Sequence, residues 1–237
     1  MPIARRAIIL AAVFAALHAI QSHAQTSSEL RGRSTFGLSV IQTRPQGELA
    51  RNIGFGYGLN GSYLFRLDRA GVLSLRADVG VVDYGDESKR SALSETIGDR
   101  VQVDVRTTNY IVPLSIGPQL TWPTGAFRPY VNAGVGGQAY FTESDVEGTG
   151  NLSSFANTTN QSDFAASWIA GGGVYAPIVA GKWNVQLDLG LEYFGGGTAR
   201  YLGRGSITDL SGGQVSVSSM QSDTHVVVVH LGARVGF

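Results

Sequence analysis

The sequence predicts an all-β chain that closes into an antiparallel, up-and-down transmembrane β-barrel of eight strands. Three observations carry this. From Ser34 onward apolar residues recur with period two. Short and long connections alternate between the strands. The chain has 32 glycines but only Lys89 and Lys182 for lysine. Soluble β-proteins commonly guard exposed edges with lysine, so a surface with almost none suits lipid better than water. A chain that enters a membrane without a long apolar helix must close into a barrel, which satisfies every backbone group internally.

The first 24 residues read as an export signal and are set apart from the fold. Arg5 and Arg6 form a positive start, Ala7 to Ile20 is apolar and uncharged, and Ser22-His23-Ala24 supplies small residues at a cleavage site. Residues 25–33 are a short leading segment, and residues 34–237 form the barrel domain. The mature part keeps 16 basic residues against 18 acids, a net charge of −2. That gives no electrostatic footing for nucleic acid. There is no cysteine, so no disulfide framework or thiolate chemistry is expected.

The strands follow in order. The first lies near Thr35–Thr43. The second places Phe55, Tyr57, Leu59, Tyr63, Phe65 and Leu67 on one face, with Gly56, Gly58, Asn60, Ser62 and Arg66 on the other; Leu64 interrupts the polar side. The third sets Leu73, Leu75, Ala77, Val79 and Val81 against Ser74, Arg76, Asp78 and Gly80. The fourth covers roughly Val101–Thr121; its apolar phase slips between Val105 and Tyr110, which predicts a bulge. Pro113 and Pro118 also point to a bulge, because a closed barrel has no free edge to tolerate them. The fifth runs near Pro129–Thr142. The sixth, near Phe164–Val179, is apolar on both parities, so its faces stay open. The seventh opposes Trp183, Val185, Leu187, Leu189, Leu191 and Tyr193 to Asn184, Gln186, Asp188, Gly190 and Glu192. The eighth spans Thr224–Phe237.

Short turns are expected at Asp68–Gly71, Pro123–Phe127 and Pro177–Lys182. Longer polar loops are expected at 85–100, 143–163 and 195–223, with a modest one at Arg44–Asn52. Turns on one side and loops on the other is the arrangement of membrane barrels. The Leu75/Leu187 face is assigned to lipid for three reasons. The strands are long enough to cross, aromatics such as Trp183 and Tyr193 gather near strand ends, and the opposite face is mostly Gly, Ser, Asn and Gln. That inward face carries Arg66, Arg76 and Arg234 against Asp78, Asp188 and Glu192, together with His230. Eight strands leave an interior just wide enough for side chains, and buried charges persist only when paired. The expectation is a salt-bridged, plugged lumen.

The last strand places His225, Val227, Val229, Leu231, Ala233, Val235 and Phe237 on one parity. Its segment His230-Leu-Gly232-Ala-Arg-Val235-Gly-Phe237 resembles the C-terminal assembly signal of small bacterial outer-membrane barrels similar to the OmpA transmembrane domain and the OmpX/Ail group. In that pattern a polar residue, a glycine and two apolar positions end on an aromatic, and Val235 stands where an aromatic is common. The resemblance implies residence in the outer membrane, contact with lipid and lipopolysaccharide, and insertion by the barrel-assembly machinery.

No chemistry is expected of the chain. Gly56-x-Gly58-x-x-Gly61 spells a dinucleotide fingerprint, but that motif needs a strand–turn–helix and these glycines sit in an alternating strand. Asn151, Asn157 and Asn160 begin N-x-[ST] triplets, which mark only a polar loop. Asp223-x-His225 resembles half of the omptin proteases' pair, and Asp83 and Asp86 are poorly spaced for the other half. No metal cluster or cofactor motif is visible. The expected role is a structural or interaction barrel that meets a surface ligand through loops 85–100, 143–163 and 195–223. The alternatives are a narrow small-solute channel and, behind it, an omptin-like protease.

Overall fold

The computed structural model describes residues 33–92, 102–122, 127–148, 156–179, 184–203, 206–209 and 215–236. The segment expected to be an export signal, Trp183 and Phe237 lie outside the described residues. In order, the elements are β1 (Ser34–Pro45), α1 (Leu49–Asn52), β2 (Gly56–Arg66), β3 (Leu73–Ala92), β4 (Gln102–Thr121), β5 (Arg128–Gly148), β6 (Ala156–Val179), β7 (Asn184–Tyr201), β8 (Ile207–Asp209), β9 (Val215–Val217) and β10 (Met220–Gly236). Strands β1–β7 and β10 close into one antiparallel barrel in which each strand pairs with its neighbour in sequence and β10 returns to β1. Strands β8 and β9 make a separate two-stranded ribbon. This is the eight-stranded up-and-down barrel the alternation predicts. Among the described residues no helix is long and apolar enough to cross a membrane.

Period-two alternation becomes an inside and an outside. On β3, Ser74, Arg76 and Asp78 are buried while Leu75, Val79 and Val81 are exposed. On β7, Gln186, Asp188 and Glu192 are buried while Leu187, Leu189 and Leu191 are exposed. The faces of β6, open in the sequence, resolve the same way. Ala165, Ser167, Ile169 and Tyr175 turn inward, and Phe164 and Trp168 outward.

Aromatic residues bracket the apolar belt. Phe36, Trp122 (69% exposed) and Phe127 (70%) lie toward the turn end. Phe55, Tyr57, Phe164 and Trp168 lie toward the loop end. Between Tyr110 and Trp122, β4 carries Leu114, Ile116 and Leu120 outward. Roughly 9–11 tilted residues cross a bilayer, which matches this stretch.

Strands β3–β6 have 20, 20, 21 and 24 residues. They therefore rise well past the loop-side aromatics. Much of the expected loops at 85–100 and 143–163 is paired strand, down to the rungs Ala92↔Gln102 and Val146↔Ala156. Strand β7 likewise continues to Tyr201, inside the expected 195–223 loop. Here the side chains turn polar on both faces, so alternation stops announcing a strand although the ladder continues.

The phase slip foreseen on the fourth strand lies across from it. The β3–β4 register shifts between Asp83 and Gly85, so the extra residue is Tyr84 on β3. The prolines do not make bulges. The β3–β4 ladder omits the rungs at Gly80 and Val81 opposite Pro113 and Val112, and the β4–β5 ladder omits those at Gly117 and Pro118. Register is kept on both sides of each gap. A missing N–H costs a ladder bond but need not insert a residue.

The β2–β3 turn shows how a short connection holds. Gly71 has φ +74°, a left-handed conformation that glycine adopts without penalty. The Asp68 carboxylate accepts the amides of Val72 (3.2 Å) and Leu73 (3.0 Å). Desolvation in the turn pushes this carboxyl up, but those amide bonds outweigh it and hold the group below the usual aspartate value.

Candidate functional site

The lumen divides into two layers. The turn-side layer is polar, and its centre is Arg76, 3% exposed on β3. Its Nε and Nη2 donate to the two carboxylate oxygens of Asp78 at 2.7 and 2.9 Å. Arg76 and Asp78 stand two residues apart on one strand and so share a face. Across the barrel, Nη2 lies 3.2 Å from Glu192 Oε1 on β7. Nη1 donates to Gln119 Oε1 at 3.3 Å. The carboxylates are held from behind as well: Asn60 donates to Asp78 at 3.1 Å and Asn132 to Glu192 at 2.8 Å. Both faces of this ion triad are thus hydrogen-bonded, the condition for a buried charge group to persist.

Asp188 is served by a different pair. Tyr130 donates to its Oδ1 at 2.9 Å, and His230 Nε2 lies 3.4 Å from the same oxygen and 3.0 Å from the Tyr130 hydroxyl. Gly190 makes room for this cluster. A Cβ there would fall 2.5 Å from both the Tyr130 hydroxyl and the His230 ring. Tyr130 stacks on Tyr175 (4.3 Å, 15° between planes), with Arg76 over the first ring and Arg234 over the second, at 5.6 and 3.9 Å from the centroids. Gln119 Nε2 donates to the Tyr175 hydroxyl at 2.9 Å.

Of the seven lumen residues read from the sequence, the structure brings Arg76, Asp78 and Glu192 into one ion cluster and Asp188 and His230 into a second. Arg66 and Arg234 have no carboxylate within ion-pair distance among the described residues. Register explains it. Arg234 stands opposite Gln186 and Gly37, and Arg66 opposite Ser74, so none of these facing positions holds an acid.

Tyr130, Tyr175, Gln119 and Asn132 were not singled out from the sequence, and Asn60 was placed on the polar face without a partner. The signal was present in β5, where Tyr130 shares parity with Asn132, Gln138 and Thr142. A tyrosine on the polar parity of a barrel strand belongs to the interior.

The loop-side layer is apolar and aromatic. Ile41, Val82, Ile111, Ile169, Phe194, Val226 and Val228 pack with Tyr84, Tyr140 and Tyr201, and α1 lowers Leu49 onto them. Polar anchors close the top: Asn52 donates to the Tyr201 hydroxyl at 2.7 Å, and Tyr84 donates to the Leu202 carbonyl at 3.1 Å.

Outside the barrel, His225 stacks on Tyr193 (6.0 Å), which contacts Trp168 (5.4 Å). The Asp223 carboxylate accepts the Thr198 hydroxyl at 2.9 Å. The two members of the Asp223-x-His225 motif are thus engaged with different partners. Asp83 accepts the Gly85 amide at 3.0 Å, and Asp86 pairs with Arg106. Among the described residues no group of three potential metal ligands converges. Gly56, Gly58 and Gly61 lie within β2 or at its first residue. A Cβ on Gly58 would fall 1.9 Å from the Val81 carbonyl, so strand packing accounts for that glycine. In β10, Gly232 pairs with Ser39 and Val235 with Phe36.

No protein-family model matches the chain, and no curated protein matches it. Solved structures do. The attachment invasion locus protein Ail of Yersinia pestis, solved with the heparin analogue sucrose octasulfate, is 15% identical over 88% of this chain and 100% of that one, with a TM-score of 0.43. Neisserial surface protein A is 14% identical over 86% and 97%, at 0.42. The N-terminal β-barrel domain of Pseudomonas aeruginosa OprF is 16% identical over 87% and 99%, at 0.38. All three are small outer-membrane barrels, the group that the terminal strand resembles. The architecture of this chain rests on its own strand pairing.

Proposed function

We propose that the chain is an outer-membrane barrel with a closed lumen that presents its loop-side strands and loops to a surface partner. The observation that carries this reading is the opposition of its two faces. The outward face exposes an apolar belt between aromatic girdles. The inward face buries charged side chains, with Arg76, Asp78 and Glu192 joined in one cluster and Asp188 set against His230, as a narrow barrel interior requires. The paired strands that β3–β6 extend beyond the belt support the second half of the reading, because they carry polar side chains well past the loop-side aromatics. Outer-membrane lipid and lipopolysaccharide are the surroundings we infer, the barrel-assembly machinery is the route of insertion, and no catalytic role is assigned. Two tests separate this from a solute channel. The protein inserted in a planar bilayer is expected to give no conductance steps; steady single-channel events would overturn the closed lumen. Cysteines at Ser88 and Ser218 are expected to react with a membrane-impermeant maleimide on intact cells, and one at Ala70 is expected not to. The opposite pattern would place the turns outside and remove the surface-presentation half.

A further inference from the structure

At the turn-side end of the lumen the cations outnumber their partners. Arg234 is 4% exposed, and its guanidinium carbon lies over the Tyr175 ring at 3.9 Å from the centroid. The ring supplies no hydrogen-bond acceptor in place of an anion, so the N–H donors of the cation still need partners. Nε is buried and has no hydrogen-bond partner. The residues opposite on the neighbouring strands are Gly37 and Gln186, neither of them an acid. Asp188 sits one inward position deeper on β7, and its Oδ1 is already held by Tyr130 and His230.

Two further arginines share this mouth. Arg128, the first residue of β5, is half-buried, pairs across the ladder with Tyr175, and lies within electrostatic range of both Arg234 and Arg66. Arg66 ends β2 and lies along the Gly71 turn. None of the three has an ion-pair partner among the described residues. Two further cations beside a buried guanidinium that the Asp188 carboxylate opposes only from beyond ion-pair distance leave positive charge for an anion to offset. A guanidinium is a planar fork suited to bidentate contact with phosphate oxygens.

We propose that the turn-side mouth of the barrel is an anion site in which Arg234, floored by Tyr175 and flanked by Arg128 and Arg66, holds one phosphate group. The chemistry is shared by a phospholipid headgroup from the adjoining leaflet and by free phosphate.

The test uses the whole protein extracted in neutral detergent. Inorganic phosphate is titrated by calorimetry at an ionic strength fixed with chloride. Phosphatidylglycerol and diacylglycerol, which has the same tails without phosphate, are offered in mixed micelles, and retained lipid is counted by native mass spectrometry. One saturable phosphate equivalent is expected, weakened about tenfold or more in Arg234→Gln, as loss of a charged hydrogen-bonding group implies. Arg128→Gln is expected to weaken it less. Retention of phosphatidylglycerol alone assigns the site to a headgroup, and saturation by free phosphate alone assigns it to a soluble anion. Arg234→Gln is also expected to melt no lower than wild type when phosphate is absent, because it removes a buried unpaired charge. An arginine with a purely structural role would melt lower on that change. The proposal is overturned if neither phosphate nor phosphatidylglycerol binds beyond the chloride and diacylglycerol controls. It is equally overturned if binding survives both substitutions in barrels whose boiling-dependent gel shift shows them folded.

Discussion

Arg76 is the residue whose removal the lower lumen tolerates least. It satisfies Asp78 twice and also meets Glu192 and Gln119. Arg76→Ala leaves two buried carboxylates facing each other, and breaking a buried pair costs roughly 3–5 kcal/mol. Asp188→Ala is expected to cost less, because the hydrogen-bonding groups it strands are a histidine ring nitrogen and a tyrosine hydroxyl, which keep each other as partners. Urea unfolding of the two variants in lipid vesicles ranks them; equal losses would show that the Arg76 cluster carries no special weight. Gly190→Ala tests the same layer by volume. Its methyl would meet Tyr130 and His230, and overpacking of this kind costs about 1–3 kcal/mol.

Strand β7 tests which medium each face meets. Leu189 points outward at 47% exposure, between the inward residues Asp188 and Gly190. Leu189→Arg is expected to lose about 2–4 kcal/mol if it sits near the bilayer midplane. Leu189→Val should scarcely change the unfolding midpoint. Full tolerance of Leu189→Arg would mean that this face meets water. The β2–β3 turn carries a pH signature of opposite origin. Asp68 is held below its ordinary value by two amides, so its contribution is present above the unfolded aspartate pKa and is lost as pH falls through the depressed folded value. Asp68→Asn should therefore flatten the acid limb of hairpin stability, measured by amide exchange at Val72 and Leu73. An unchanged acid limb would show the bonds to be unimportant.

For the molecule as a whole, closure is the property that the remaining predictions address. Protein in detergent should give a β-dominated circular dichroism spectrum and migrate differently on gels before and after boiling. A helix-rich spectrum is incompatible with β1 pairing to β10. Phe237 addresses assembly as distinct from stability. If the terminal segment is read during insertion, deleting Phe237 should sharply lower the outer-membrane fraction at equal synthesis. The purified chain should still refold in detergent. Phe237→Tyr should restore most of the yield, and normal membrane levels of the deletion would remove the assembly signal from the reading.

By itself the amino-acid sequence determined the period, and with it the class of fold, the number of membrane strands and the inward or outward sense of the residues on β2, on β3 as far as Val81 and on β7 as far as Tyr193. The physical reason is that strand geometry places alternate residues on opposite faces, so one polar parity suffices to orient a strand. It also placed Arg76 and Asp78 two apart on one inward face, without assigning either charge its partner. Only the tertiary structure decided what lies outside that local rule. Glu192 reaches Arg76 from the far side of the barrel, and Arg234 meets Tyr175 where the notation of charges promised an acid. Tyr84 takes the bulge that the phase of its partner strand had suggested, and polar strands climb past the belt with no buried face to mark them. Such partners are fixed by shear and closure, which join strands distant in sequence. No spacing along the chain records which residue will stand across the lumen from which.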